Sequence, residues 1–326
     1  QLKLFNKYFI LTFIVAFAAN MGQNLINNAY SLYVVSLGYT TSFAGYVNLL
    51  YAVLAITARF WSGYLADKKS RRLTMALGCF IFALSSLFFG IIPAFWSIII
   101  FRSLHGAGFA SSYTAASAAN VDVIPASRRD EGIGYFWIAL AITFAFAGNI
   151  VDWLSNGDDY TNVFILSTVL LGIGIIASLL CDYEKKPDFM AMVKRETSDD
   201  VYDSQDSRGI RKFIEPKAIP ASMVYFLNAI GLSSVGIFIL LYAAEQNYPN
   251  AGMFFLASAV TMAFSNIYCS RVTARFGALA ALIPSFLVYA AGLFCLGLSN
   301  SLLLFFVAGG TYGIFHGVSN PVLYSI

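Results

Sequence analysis

The sequence predicts an all-α protein that threads a membrane many times, and three observations carry that prediction. The first is composition: 59% of the 326 residues are hydrophobic, 11% are charged and the mean hydropathy is +0.71. Soluble chains carry about a quarter charged residues, so water is not the solvent for this surface. The second is run length, since a spanning helix needs about 20 mostly apolar residues and ten such runs can be read. The third is the placement of Lys and Arg. Eighteen of the twenty lie in the amino-terminal segment and in alternate connections, and the opposite connections hold none.

The run 8–35 outlasts the short apolar stretch of a cleavable signal and carries a polar face, so it reads as a span. The run 44–66 leads into Lys68, Lys69, Arg71 and Arg72, and 73–92 returns from that basic loop. The run 95–121 is followed by Arg128 and Arg129, then come 132–154 and 161–180. The last of these is apolar without the alternation that a barrel strand requires. After a charged segment follow 221–244, 251–269, 279–298 and 302–324, with Arg271 and Arg275 behind the second of these. Cytoplasmic loops collect Lys and Arg, which puts the amino terminus and the long middle segment in the cytoplasm and the protein in the inner (cytoplasmic) membrane.

Residues 183–219 interrupt this pattern. They are charged, contain Pro187 and Pro216, and lack an apolar period, as expected of a linker. The expected organisation is a six-helix bundle over 1–182, this cytoplasmic linker over 183–219, and a four-helix part over 220–326. A faint internal repeat relates the parts. A shift of 207 residues carries the loop Gly63–Arg72 onto Ser270–Leu279, Gly106 onto Gly313 and Ala110 onto Gly317. Duplicated halves are the usual construction of secondary transporters, so a second half of six helices is expected. The chain stops after the fourth and begins without Met, which gives the expectation of ten helices present out of twelve.

Several classes are excluded. The net charge of +3 comes from membrane-flanking anchors, so nucleic acid is not expected as a partner; lipid is. Cys79, Cys181, Cys269 and Cys295 are far apart and form no CxxC or Cys/His cluster, so no metal or cofactor is expected. No nucleophile–base pair, phosphate loop or paired-carboxylate site marks an enzyme.

Gly63-x-Leu65-Ala66-Asp67-Lys68-x-Ser70-Arg71-Arg72 closely resembles the signature between helices 2 and 3 of the major facilitator superfamily, G-x-L-a-D-R-x-G-R-R/K, with Ser70 in place of glycine. The resemblance implies two pseudo-symmetric helical bundles that exchange access to a central cavity, and a conformational switch made of Gly63, Leu65, Asp67, Lys68, Arg71 and Arg72. On physical grounds Gly63 would let a helix approach closely, and Asp67 would cap backbone N–H groups or pair with an arginine. Arg102-Ser-Leu-His105-Gly106-Ala-Gly108-Phe-Ala110 resembles the superfamily's helix 4 motif R-x-x-x-G-x-G-x-A, implicated in proton coupling in antiporter branches; His105 stands where glutamine is frequent. Arg59 precedes Gly63 as in the R-P-x-x-G of sugar- or drug-efflux members, without the proline. The stretch from Asp122 to Phe136 is similar to that of bacterial export-type members. In the fifth helix the expected Gly-Pro reads Gly148-Asn149, which weakens the case for proton antiport.

Arg59 and Arg102 lie within helices, where a charge costs about 2.5–3.5 kcal/mol on insertion scales, so each should face a cavity or a partner. Arg102 is read either as a coupling residue or as a structural donor to helices 1 and 2; Arg59 is open between cavity lining and a charge latch. Asn20, Asn24, Asn27 and Asn28 recur on one face of the first helix, with Gln23 beside them. Amides cannot face lipid unpaired, so this face bonds other helices or contacts substrate. Tyr312, His316 and Asn320 share a face of the tenth helix, where Pro321 should kink the chain. His316 is either a proton carrier or a hydrogen-bonded structural residue. Tyr225 and Asn228 complete the cavity candidates.

The expected function is secondary transport of a small solute by a monomer, as export coupled to proton antiport. A facilitator or proton symporter is the nearest alternative, and a non-transporting membrane sensor on the same scaffold is an alternative of another class.

Overall fold

The computed structural model describes residues 4–125, 128–155, 157, 159–186, 189, 219–298 and 301–325. The predicted linker 183–219 therefore falls largely outside the described residues. The chain divides into two compact units, Gln1–Val201 and Tyr202–Ile326. Unit 1 holds α1 (Lys7–Ser36), α2 (Thr41–Lys68), α3 (Arg71–Ile91), α4 (Phe95–Val123), α5 (Arg129–Leu154) and α6 (Thr161–Leu180). Unit 2 holds α7 (Ile219–Glu245), α8 (Met253–Phe276), α9 (Ala278–Leu298) and α10 (Leu302–Ser325). Each predicted run is a helix.

Helix ends are set by caps rather than by the apolar runs. The Asn6 side chain accepts from the N–H groups of Tyr8 and Phe9 at 3.0 and 2.9 Å, and its own amide donates to the Val123 carbonyl at 3.0 Å. The start of α1 is thereby tied to the end of α4. Thr40 caps α2 through the Phe43 N–H at 3.2 Å, three residues ahead of the apolar run. The Asp159 carboxylate is held below its usual range by Thr161, whose backbone N–H donates to it at 2.8 Å at the entry to α6. α8 runs past its apolar stretch through Arg271 and Arg275, and stops at Gly277, whose φ of +86° side chains rarely adopt.

Within each unit the helices approach through glycine, as expected where lipid removes the hydrophobic drive for helices to associate. Gly78 of α3 and Gly108 of α4 face one another's backbones, and a Cβ on Gly108 would lie 2.6 Å from the Phe82 nitrogen. Gly106 rests on the Tyr51 carbonyl of α2, closing the α2–α4 crossing. α6 covers α1 and α3, with Gly90 against Phe164 and Gly174 against Cys79 and Ala18. In unit 2, Gly309, Gly313 and Gly317 of α10 rest on the carbonyls of Phe254, Ser258 and Met262 of α8. Ser258 and Thr261 hydroxyls donate across that seam to Gly309 and Gly310 carbonyls, both at 2.8 Å. Tyr289 of α9 stacks on Phe315 with centroids 4.8 Å apart. Among the described residues of unit 2, no helix takes the place on α7 and α9 that α6 holds on α1 and α3.

Apolar length and close glycine contact are unevenly distributed among the helices. Nine helices among the described residues are long and apolar enough to cross a membrane by length and composition, and α4 is not one of them. Arg102, His105 and a series of Ser, Thr and Asn dilute it, and its polar side chains are largely buried among other helices. A Cβ on Gly63 would meet nothing within 4 Å among the described residues, whereas the closest backbone approaches fall on glycines of α3, α4 and α10. Pro321 and Asn320 lie on α10, but their side chains are outside the described residues, so neither the kink nor the role expected of Asn320 is tested.

Candidate functional site

The α2–α4 crossing at Gly106 sets the first cluster. One turn back from that contact on both helices, Arg102 of α4 comes beside Asn48 of α2. The Arg102 side chain has no exposed surface. Its Nη2 donates to Asn27 Oδ1 of α1 at 2.8 Å and to Asn48 Oδ1 at 2.9 Å. The guanidinium lies between two aromatic faces, 4.3 Å from the Tyr30 centroid and 4.4 Å from that of Tyr51. Cation–π contacts of this kind contribute about 2 kcal/mol when desolvated. Tyr30 is held by its hydroxyl, which donates to the Ala44 carbonyl at 2.8 Å.

His105, fully buried and packed 4.3 Å from the Phe82 ring, has Nδ1 3.5 Å from Arg102 Nη1. Arginine can only donate, so Nδ1 accepts and the ring proton sits on Nε2. That Nε2, and Arg102 Nε, have no hydrogen-bond partner among the described residues. Gln23 donates to Asn27 Oδ1 at 2.9 Å and extends the cluster along α1. The charge is thus surrounded by amide oxygens, aromatic faces and an imidazole, and no carboxylate among the described residues is bonded to it.

The asparagine face of α1 divides. Asn27 joins Arg102, whereas Asn24 donates to Thr143 of α5 at 3.1 Å. Asn20 donates to the Ala16 carbonyl and Asn28 to the Asn24 carbonyl, both at 2.9 Å within their own helix. Arg59 is exposed on α2, two turns and more from this cluster along the helix.

The second cluster joins the α2–α3 loop to the end of α6. Ser70, not Asp67, caps α3: its hydroxyl accepts from the Leu73 N–H at 3.3 Å and donates to Glu184. Its φ of −170° is ordinary extended backbone, so the position needs no glycine. The Arg71 N–H donates to the other oxygen of Glu184 at 2.7 Å. The Arg71 guanidinium pairs with Asp122 of α4, donates to the Ala118 carbonyl at 2.9 Å, and lies 3.7 Å from Asp67. Tyr183 donates to Asp122 at 3.0 Å. Lys68 is exposed, and Leu65 and Arg72 are half-buried.

In unit 2, the Tyr312 hydroxyl donates to the Leu232 carbonyl at 3.3 Å and its ring lies 6.0 Å from that of His316. Asn228 of α7 is buried, and its Oδ1 has no partner among the described residues; Tyr225 is half-buried one turn earlier. A largely apolar groove of about 560 Å³ lies between α8, α9 and α10 beside Pro284. No group of His, Cys, Asp and Glu able to hold a metal occurs among the described residues.

The sequence reading missed Asn48, Tyr30, Tyr51, Tyr183 and Glu184. Asn48 carried a signal, as a lone amide in an apolar run that lipid cannot satisfy. Glu184 was hidden by its place at the head of a charged linker.

The Major Facilitator Superfamily model matches residues 12–326. Multidrug resistance protein 2 of Bacillus subtilis (strain 168) is 23% identical over 239 residues, 73% of this chain and 58% of that protein. The D-galactonate transporter of Escherichia coli O6:H1 is 25% identical over 44% of this chain and 33% of its own. The matches thus span between a third and somewhat over half of those relatives' lengths. Among solved structures, the nucleoside transporter NupG superposes with a TM-score of 0.71 at 13% identity, covering 97% of this chain and 80% of that one. An inward-facing bacterial homologue of the human lysosomal transporter Spinster gives 0.65 at 14% identity, covering 98% and 74%. At these identities the likeness is one of fold.

Proposed function

The chain belongs to the Major Facilitator Superfamily, a family of transporters and not of enzymes, and on that premise we propose that it carries a small solute across the membrane by alternating access. The observation that carries this reading is Arg102, a charge without exposed surface, held by Asn27 and Asn48 in a span where such burial is costly. A scaffold without a polar task could fill that place with leucine. Two bundles, 1–182 and 220–326, would rock about a site near mid-membrane, joined by the cytoplasmic linker 183–219.

The cavity would draw on Asn20, Gln23, Asn24, Asn27, Tyr225, Asn228, Tyr312 and Asn320. Gly63, Leu65, Asp67, Lys68, Arg71 and Arg72 would set the balance between states, with Arg59 free to latch. The protein would act as a monomer in the inner membrane with a cytoplasmic amino terminus. The direction we favour is export in exchange for protons, the first relative being a multidrug resistance protein. Every Asp and Glu of these ten helices falls within a turn of a helix end, so the proton-coupling or cavity charges among them would be Arg102, Arg59, His105 and His316.

Flux in proteoliposomes, with and without an imposed pH gradient, tests this. Solute movement that follows the gradient and stops when it is collapsed is expected. Flux indifferent to the gradient leaves a facilitator and removes the coupling, and no flux of any solute screened favours the sensor.

A further inference from the structure

We propose that the Arg102 cluster is an oxyanion site, so that the solute presents a carboxylate or phosphate group to it; this rests on the transport reading above. Two observations converge. Arg102 and Arg59 are the charged residues placed about two turns or more from a helix end, and no helix carries a carboxylate more than one turn from its end. The interiors of these ten helices therefore hold positive charge alone. A buried cation without a counter-ion is strongly unfavourable, and neutral amides with two aromatic faces offset only part of that cost.

The second observation is the pattern of unfilled donors. Nε–H and the adjacent Nη2 form the side-on edge of the guanidinium, the edge that takes both oxygens of a carboxylate or phosphate. Nε–H has no partner, and Nη2 is held by the oxygens of Asn27 and Asn48. An arriving oxyanion needs to displace only one amide oxygen to occupy that edge. On the guanidinium itself the missing partner is an acceptor, as an anion supplies, while the unpartnered Gln23 Oε1 at the edge of the cluster is an acceptor that a hydroxyl of the same solute would fill. Asn27 and Asn48 are only half-buried, so they form the movable cover of an otherwise closed charge.

The test is ligand-dependent thermal unfolding of the full-length protein in lipid nanodiscs, with probes paired by shape: hexanoate with hexanamide, benzoate with benzamide, and glycerol 3-phosphate with glycerol. Stabilisation by anionic members at least tenfold lower in concentration than by neutral partners is expected, and Arg102→Gln should abolish that preference. The Asn48→Ala variant keeps the charge and opens its cover, so the anionic probes should stabilise it at lower concentration than wild type while the neutral ones do not shift, a readout that stands if Arg102→Gln fails to fold; no shift for the anions overturns the proposal. Equal response to anions and neutral partners overturns the proposal, as does an anion preference that survives Arg102→Gln. Anion binding through Arg102 without flux in proteoliposomes keeps this site and sinks the transport reading. Flux of neutral solutes unaltered by Arg102→Gln does the reverse.

Discussion

Gly106 of α4 and Gly313 of α10 hold the same place in their two halves. Gly106 rests on the carbonyl of Tyr51, Gly313 rests on that of Ser258, and both partners are displaced by the same 207 residues. The same shift takes Ser70 onto Gly277, the two residues that stand just ahead of α3 and α9. There the halves differ: Ser70 is extended and caps its helix, whereas Gly277 turns through φ +86°. The 207-residue shift thus holds at this one backbone contact, whereas Gly78 and Gly108 map onto Ser285 and Phe315, and the turn ahead of α3 and of α9 is made in two ways.

Gly106→Val and Gly313→Val should each force a helix pair apart, because a Cβ at either position overlaps a carbonyl oxygen that no rotamer can move. Overpacking of this kind costs about 1–3 kcal/mol. Thermal unfolding in detergent should show both variants clearly below wild type. Gly63→Ala should be unchanged or more stable, by up to about 1 kcal/mol from helix propensity, since nothing lies within 4 Å of its Cβ. A Gly63→Ala variant as damaged as the other two would mean that a helix does approach at Gly63.

The fold was legible because its signals are long-range averages: twenty-residue apolar runs and the side on which basic residues fall survive any local ambiguity. The site was legible in part. Arg102 announces itself through the cost of burying charge, and Asn27 through the amide face of α1. Tyr30 and Tyr51 could not be told from the other aromatics of a chain with 30 Phe and 19 Tyr, because their role depends on where α4 crosses α2. The division of the asparagine face, with Asn24 turned to α5 and Asn27 to α4, depends on packing that helical spacing does not encode.

Arg71 and Asp122 should be coupled energetically. Their side chains are 22% and 28% exposed, intermediate between a screened surface pair and a buried one. A double-mutant cycle with Arg71→Gln and Asp122→Asn should give about 0.5–3 kcal/mol of interaction by thermal or chemical unfolding. Additive effects within error would show that the pair acts as two independent solvated charges. Asp67→Asn, at a side chain 70% exposed and 3.7 Å from Arg71, should leave stability nearly unaltered while impairing flux.

Glu184→Gln should loosen the start of α3. The carboxylate accepts from the Ser70 hydroxyl and from the Arg71 N–H, and an anion at a helix start contributes about 0.3–1 kcal/mol. The expected result is faster hydrogen exchange at the first turn of α3, with α4 and α6 unaffected. Ser70→Gly removes the cap itself, and as glycine replaces a serine cap at a cost of only a few tenths of a kcal/mol, most of its effect should come through the lost Glu184 bond. The double variant should then be little worse than Glu184→Gln alone.

Asn27→Ala and Asn24→Ala remove neighbouring amides of one helix face, yet their consequences should differ. Asn27 supplies an oxygen to the Arg102 guanidinium and to Gln23. Its loss leaves a buried cation with one amide acceptor on Nη2, and a hydrogen bond to a charged group contributes about 1.5–3 kcal/mol. Asn24 makes a neutral bond to Thr143, a contact of about 0.5–1.5 kcal/mol. Thermal unfolding should therefore rank Asn27→Ala below Asn24→Ala, and the gap should close in an Arg102→Gln background, where Asn27 no longer faces a charge. Equal damage in both backgrounds would mean that Asn27 acts through Gln23 and helix packing, and that the cage around Arg102 does not depend on it.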